Sequence, residues 1–542
     1  MHWGNVKYPA AETAGRPLFE SLCFGVIPAN EVRLPAGRSG ILTIRFRTTD
    51  CVAIHMIYNR SKKGGRKELA YKIGSREQIT MLPSSIEEYV GDNDPVRVYD
   101  AFVEALDFVE LGIEIDENKV GNSAYEPKAM LKLLIYGYSY GWRSSRKLER
   151  ALHHNVSFMW LTGGLRPDHK TIANYRRDNK EALKKVLKQC VRLCLDLKII
   201  EGNTLFIDGS KIRANASINN VWTEERCKKA LKKIDKRIEE IIRESEDADE
   251  KESGTLVEMP EELKDKEALK ERVKGIVERL KKEERKQVNT TDQDSIKARG
   301  RQGTHAGYNA QIAVDEKHGL IVNSEVVNTN NDTDQFTRQV KGANEILGKK
   351  CKTSCADAGY ANTENLKETV EEEIEVIVPS QKQALHNPEA ENPYGKEKFR
   401  YDEKNNQYIC PEGKELRYSH YNKRQGHYLY RIKGPSNCIT CKHYGKCTNN
   451  KRGRAVIRLK SEKVKEKLEA FYMSEKGQAI YKKRKEKVEL PFGHIKRNLK
   501  VDAFLLRGLN GVNAEMSLFS TSFNISRMIT IIGESKLISA LV

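Results

Sequence analysis

The chain of 542 residues has no run of eighteen or more apolar residues, so no segment of it reads as a membrane span. Nor does it open on a basic stretch followed by an apolar one and a cleavage site, which sets a signal peptide aside. Acidic residues are in deficit: 76 Asp and Glu face 95 Lys and Arg, leaving a formal charge of +19. A surplus of that size disfavours acidic small molecules as ligands and favours a polyanion, nucleic acid ahead of an anionic membrane surface. Cysteines are too scattered for a disulfide framework, and their number, 11, is odd; reduced thiols with a metal cluster among them fit better. The expected compartment is the cytoplasm, with association to the nucleoid when DNA is bound.

What is present is enough chain for roughly two to four domains. Residues 1–78 show no sustained helix period; they read either as an N-terminal extension with a small β segment or as sequence upstream of a start at Met81. From Asp94-Pro95 the pattern turns helical, with Val98, Phe102, Ala105, Leu106 and Val109 on one face. Further helices are expected over 126–138 and 146–153 and after Asp168, so residues 79–200 form a helical domain. Its last helix sets Lys170, Asn174, Arg176 and Arg177 among apolar anchors, either as a DNA-contacting helix or as a solvated basic face.

A sheet domain follows, in pieces. Leu205-Phe-Ile207 reads as a buried strand that Asp208-Gly-Ser210 interrupts. Residues 223–286 are dense in charge, and two heptad-spaced apolar series predict an inserted antiparallel helical hairpin. Alternation at Tyr308–Val314 and Leu320–Val327 around His318-Gly319 predicts a β-hairpin. Helix, strand, helix and strand are then expected up to Val378, giving an α/β fold: a mixed sheet with flanking helices, assembled from residues 201–222, 287–380 and 461–530. Residues 381–460 read as a second, Cys-rich insertion.

A carboxylate after a buried strand is either a turn cap or a ligand. Asp208 has two partners of this kind in Asp357, within Ser354-Cys-Ala-Asp-Ala-Gly-Tyr360, and Glu489, within Val488-Glu-Leu-Pro-Phe-Gly-His494. Each alone reads as a cap or a surface charge. Together, in a basic protein, they suit Mg²⁺ or Mn²⁺, which prefer hard oxygen ligands, acting on a phosphodiester. Neither aspartate has a histidine or lysine beside it in sequence to serve as general base. Around Glu489, Tyr481 to Lys500 holds eight Lys or Arg against two Glu, more one-sided than a solvated helix usually is.

Phe206-Ile-Asp-Gly-Ser210, Gly307-Tyr-Asn-Ala-Gln-Ile-Ala-Val-Asp315, Asp357-Ala-Gly-Tyr360 and Val488-Glu-Leu-Pro-Phe-Gly-His-Ile-Lys496 resemble the motifs of bacterial insertion-sequence transposases of the DDE type, the branch with a Tyr-Arg-Glu-Lys signature. The resemblance covers about residues 80–530 and includes Trp160-Leu-Thr-Gly-Gly-Leu-Arg-Pro-Asp168. It implies a ribonuclease H-like core with Asp208, Asp357 and Glu489 as its metal-binding catalytic triad, terminal inverted repeats and target DNA as partners, and a homodimer or higher assembly on DNA. It implies hydrolysis at the element ends followed by attack of the freed 3′-hydroxyl on target DNA. The alternatives are a catalytically inactive DNA-binding derivative and a nuclease without strand transfer. Six residues separate Glu489 from Lys496, as in the signature, so Lys496, with Arg497 beside it, carries over as a DNA contact. Tyr481 and Arg484, which the resemblance also implies as DNA contacts, lie one position too far upstream of the glutamate.

In the Cys-rich insertion, Cys410-Pro-Glu-Gly413, Cys438-Ile-Thr-Cys441 and Cys447 supply four thiols, with His420, His427 and His443 nearby. A structural zinc held by Cys410, Cys438, Cys441 and Cys447 is expected. Cys190, Cys194, Cys351 and Cys355 read instead as core residues.

Overall fold

The computed structural model describes residues 85–115, 124–249, 261–300, 303–384 and 393–542. The expectations for residues 1–78 lie outside them.

The helical domain comprises α1 (Pro95–Glu104), α2 (Phe108–Leu111), α3 (Pro127–Ser139), α4 (Ser145–His154), α5 (Val156–Leu161), α6 (His169–Asp178) and α7 (Lys180–Asp196). Its starts are written locally: the Asp94 and Asp168 carboxylates accept from the amides of Val96 and Thr171, closing orphan donors of α1 and α6. Val98, Phe102 and Leu106 are buried as their spacing requires, whereas Val109 is 88% exposed. The apolar series does not run on because α1 ends at Glu104 and α2 begins a new axis at Phe108.

The central sheet takes β1 (Thr204–Arg213), β4 (Ile296–Gly300), β5 (Gly303–Asp315), β6 (Ile321–Val327), β7 (Thr353–Cys355) and β8 (Glu375–Ile377). Across it the order is β6-β5-β1-β7-β8, with β4 on the far half of β5. The β6-β5-β1 ribbons are antiparallel, and β7 and β8 run parallel to β1. That order and sense is the ribonuclease H-like arrangement. Helices α10 (Phe336–Leu347) and α11 (Thr363–Glu371) supply the crossovers that parallel pairing needs.

One expectation is corrected here. Asp208 does not end its strand: β5 continues the ladder from Leu205↔Asp315 to Arg213↔Gly307, so β1 passes straight through the carboxylate. A polar residue can sit inside a strand when one face of the sheet is open at that level, which the local apolar run does not reveal.

The hairpin insertion is α8 (Glu224–Asp249) and α9 (Glu261–Lys282), closed at its base by a two-stranded ribbon, β2 (Val221–Thr223) with β3 (Gln287–Asn289). Cross-helix pairs Arg237–Glu262 and Lys270–Asp235 fix the antiparallel sense, and Ile234, Val273 and Leu280 form the seam. Leu269, predicted in the seam, is exposed.

After α12 (Gln381–Ala384), the Cys-rich insertion is a five-stranded antiparallel sheet of β9 (Arg400–Asp402), β10 (Gln407–Ile409), β11 (Glu415–Asn422), β12 (His427–Ile432) and β13 (Ala455–Leu459), with α13 (Ser436–Ile439) between the last two strands. The chain then returns through α14 (Glu462–Met473), α15 (Glu475–Gly493), a π-helical turn over His494–Asn498, α16 (Gly508–Ile532) and α17 (Glu534–Leu541). No helix among the described residues is long and apolar enough to cross a membrane.

α16 is the mast of the molecule. It packs on α7, α3 and β6, and two of its asparagines treat β6 as a partner strand would. Asn524 accepts from the Ile321 amide and donates to its carbonyl, and Asn513 does the same at Val326. The open edge of the sheet is thus closed by side chains.

Candidate active site

Parallel register sets the site. Phe206 pairs with Cys355, so Asp208 and Asp357, each two residues further on, leave adjacent parallel strands at the same level. Asp208 keeps 22% of its side chain exposed, and Asp357 is half-buried just past the end of β7. Asp357 also caps the turn Ala358–Tyr360, its carboxylate accepting from the Gly359 amide at 2.8 Å. Cap and ligand are therefore not exclusive: this bond uses one oxygen.

Burial pushes the Asp208 carboxyl up to about 6; the Arg484 guanidinium opposes that, and the charges of Asp357 and Asp332 add to it. Arg484 projects from α15, which crosses β1, and its Nη1 lies 3.6 Å from Asp208 Oδ1. It stands where a cation is wanted. Along the same helix Tyr481 lies half-buried within electrostatic reach of Cys355 and Asp357. The Lys496 ammonium, in the π-turn, donates to Ser210 Oγ, two residues beyond Asp208 on the same face of β1.

Glu489 lies on this helix directly after the buried Val488, and its own side chain is exposed, with no hydrogen bond or ion pair among the described residues. Asp208 and Asp357 are brought together, and Glu489 is carried on the element that crosses them. Among the described residues no three Asp, Glu, His or Cys side chains meet at the spacing of a metal site as they stand. The donor set still suits a hard divalent ion: carboxylate oxygens only, one of them raised in pKa, and a guanidinium standing in as counter-charge.

Arg497 is exposed beside Lys496, and Lys170 is exposed on α6. Arg176, expected to contact DNA, is 3% exposed instead. Its guanidinium donates to the Arg143 carbonyl and to Ser145 Oγ, tying α6 to the start of α4. An arginine on a short mixed helix faces inward when an unpaired carbonyl waits there, and sequence alone does not show that carbonyl.

On the opposite face of β1 lies a network that the sequence reading missed. The Tyr360 hydroxyl donates to Gln311 Oε1, while Gln311 Nε2 and Asn309 Nδ2 both donate to Asp332 Oδ1, at 2.8 and 2.7 Å. Lys211 completes it at 3.3 Å. It ties β5 to the turn that carries Asp357. The polar Asn309 and Gln311 inside an otherwise apolar buried strand were the available signal. Gly209 fits over this network because it has no side chain: a Cβ there would lie 2.2 Å from Gln311 Nε2. Gly209→Ala is expected to cost about 1–3 kcal/mol in chemical denaturation and to lower cleavage by displacing Tyr360. Unchanged stability and activity would remove this network from the site.

Residues 409–529 match the family model described as a transposase DDE domain, and residues 84–178 match a second, described as a transposase domain. Over both of these stretches the chain is similar to transposases of the DDE type. The first match takes in most of the Cys-rich sheet, Glu489, Lys496 and most of α16, and the second takes in α1 to α6, so the two matches flank the central sheet. Comparison with curated proteins finds no match. Among solved structures, the piggyBac transposase synaptic complex with hairpin DNA is similar at 11% identity, covering 83% of this chain and 79% of that one, with a TM-score of 0.30. The ribonuclease H-like fold rests on the strand order of this chain itself.

Proposed function

We propose that this DNA transposase cleaves the phosphodiester at each end of its element and joins the freed 3′-hydroxyl to target DNA, with Asp208, Asp357 and Glu489 as its catalytic acids. The observation that carries the reading is the level placement of Asp208 and Asp357 on adjacent parallel strands beneath a basic helix.

These three residues would hold Mg²⁺ or Mn²⁺. When bound, such an ion supplies charge neutralisation at the phosphate and a water of lowered pKa. The protein's own part is positional. Strands β1 and β7 set two carboxylates at one level of the sheet, and α15, which packs against both strands, would supply Glu489. Arg484 offsets the charge of Asp208 from 3.6 Å away, as a bound cation would. Lys496, Arg497 and Lys170 offer positive charge to the DNA backbone, and Tyr481 lines the approach. Two copies are required if both ends are held at once, so a dimer or larger assembly on DNA follows.

The test is cleavage of labelled element-end DNA by Asp357→Asn and Glu489→Gln variants that still bind it. Loss of cleavage supports the reading, and full activity in either removes that residue from the site. Supplying a pre-cleaved 3′-hydroxyl end asks separately for joined product; its absence with cleavage intact would leave a nuclease without strand transfer. Lys496→Ala should weaken binding to every sequence alike and reduce the slope of log K against log salt by about 1. A changed sequence preference with the slope intact would show that Lys496 reads bases instead.

A further inference from the structure

The Cys-rich insertion has too small an apolar core for its length. Phe399, Tyr408, Leu416, Tyr430, Ile432 and Val456 are its buried cluster, yet the sheet they serve spans residues 400–459. Segments below roughly 70–80 residues need a disulfide, a metal or a partner to hold. The cysteines here are free thiols.

Four of them, Cys410, Cys438, Cys441 and Cys447, line one cavity of about 40 Å³ at the end of that core, room for an ion and little more. They arrive on turns already formed. At Cys410 the Gly413 amide donates to the cysteine carbonyl and the Lys414 amide to its sulfur, at 3.3 Å. At Cys438 the Cys441 amide donates to the carbonyl and the Arg454 amide to the sulfur, again at 3.3 Å. Each of these two sulfurs is thus oriented by a backbone amide, the kind of outer contact that positions a metal ligand. The two turns meet at one end of the sheet, before β11 and after β12, where Leu416 pairs with Ile432, so a shared ion would tie together segments that six apolar side chains hold weakly.

His443 is the competing ligand, and its ring is engaged on both sides: Nδ1 meets the Tyr394 hydroxyl at 2.7 Å, and Nε2 meets Glu412 at 3.0 Å. An imidazole with both nitrogens bonded has no lone pair to give. We infer that these four thiols, without His443, form a tetrathiolate site for one Zn²⁺ that holds the inserted sheet together. As the side chains stand the sulfurs are not at ligand spacing, so binding turns them about their own Cα–Cβ bonds on a fixed backbone. All-sulfur donation with tetrahedral closure suits zinc and leaves no open position for catalysis. This site is independent of the carboxylates.

The experiment is zinc stoichiometry of the full-length protein by plasma mass spectrometry after gel filtration in metal-free buffer. About one zinc per chain is expected, falling at least fivefold in Cys438→Ser and unchanged in His443→Ala. If the serine variant is insoluble, cobalt substituted into the wild-type protein serves instead, with intense sulfur-to-cobalt charge transfer and tetrahedral d–d bands expected. Metal-free, folded wild-type protein whose four thiols react freely with Ellman's reagent would overturn the inference, as would zinc lost from His443→Ala and retained in Cys438→Ser.

Discussion

Asp208→Asn is expected to make the metal-free protein more stable at pH 8 while the proposed cleavage falls by roughly a thousandfold or more. The folded carboxyl is raised to about 6 from an ordinary 3.8, chiefly by burial. The folded state thus prefers the protonated form. Its contribution to stability is whole below the unfolded value and is lost as pH rises through 6. Above that, the ionised side chain costs about 1–3 kcal/mol. Asparagine resembles the protonated acid and escapes the penalty, so the gain should be present at pH 8 and gone by pH 4. Thermal unfolding of both proteins at the two pH values, in chelator, measures it. A lower midpoint for the variant at pH 8 would mean that the Arg484 pair outweighs burial, and the charge balance of the site would then be misread.

Glu515→Gln is expected to do the reverse, costing about 3–5 kcal/mol without touching the carboxylate site. Glu515 has no exposed surface, and it receives the Leu505 and Leu506 amides at 2.8 and 3.0 Å and Arg143 at 3.0 Å. Arg143 goes on to the Ala503 carbonyl at 2.7 Å, and Phe504 donates its amide to the Arg213 carbonyl at the end of β1. One carboxylate thereby joins the helical domain, the loop before α16 and the catalytic sheet. Burial pushes the Glu515 carboxyl up as it does that of Asp208, but glutamine would set an NH2 group against either Arg143 or the Leu505 and Leu506 amides, and it loses the charge that offsets Arg143. Denaturant unfolding of Glu515→Gln, Arg143→Met and the double variant forms the cycle, with the double change expected to cost less than the sum. Additive losses would show that the two side chains act separately.

Much of this architecture could be read from local pattern. The β5–β6 hairpin, the β7 and β8 strands, both insertions and the caps at Asp94 and Asp168 each carry their signal within a few residues. What escaped depended on remote neighbours. β4 alternates Lys297 and Arg299 with Ala298, which reads as loop until β5 pairs with it. Asp332 sits in Asn330-Asn-Asp-Thr-Asp334, ordinary turn chemistry, and becomes part of the site's support only because Asn309 and Gln311 face it. The strands of the Cys-rich insertion carry tyrosine and histidine on short alternating segments, too polar for a core signal. Asp208 and Asp357 were legible as unusual acids beside apolar runs, but their common level comes from the β1–β7 register, which no single stretch encodes.

The π-helical turn at His494–Asn498 gives the interval between Glu489 and Lys496 a meaning beyond length. Each residue of a π-turn advances the helix by less than an α-helical residue does, so five of them retard the azimuth of everything downstream. Two of those residues, His494 and Ile495, fall between Glu489 and Lys496, so the lysine that meets Ser210 lags the azimuth an unbroken α-helix would give it. Losing a single residue there would rotate the ammonium away from β1 while leaving the carboxylate in place. A deletion at this point is therefore expected to be poorly tolerated, although Lys496, Arg497 and Asn498 are exposed near the end of a helix, where such drift is ordinarily absorbed.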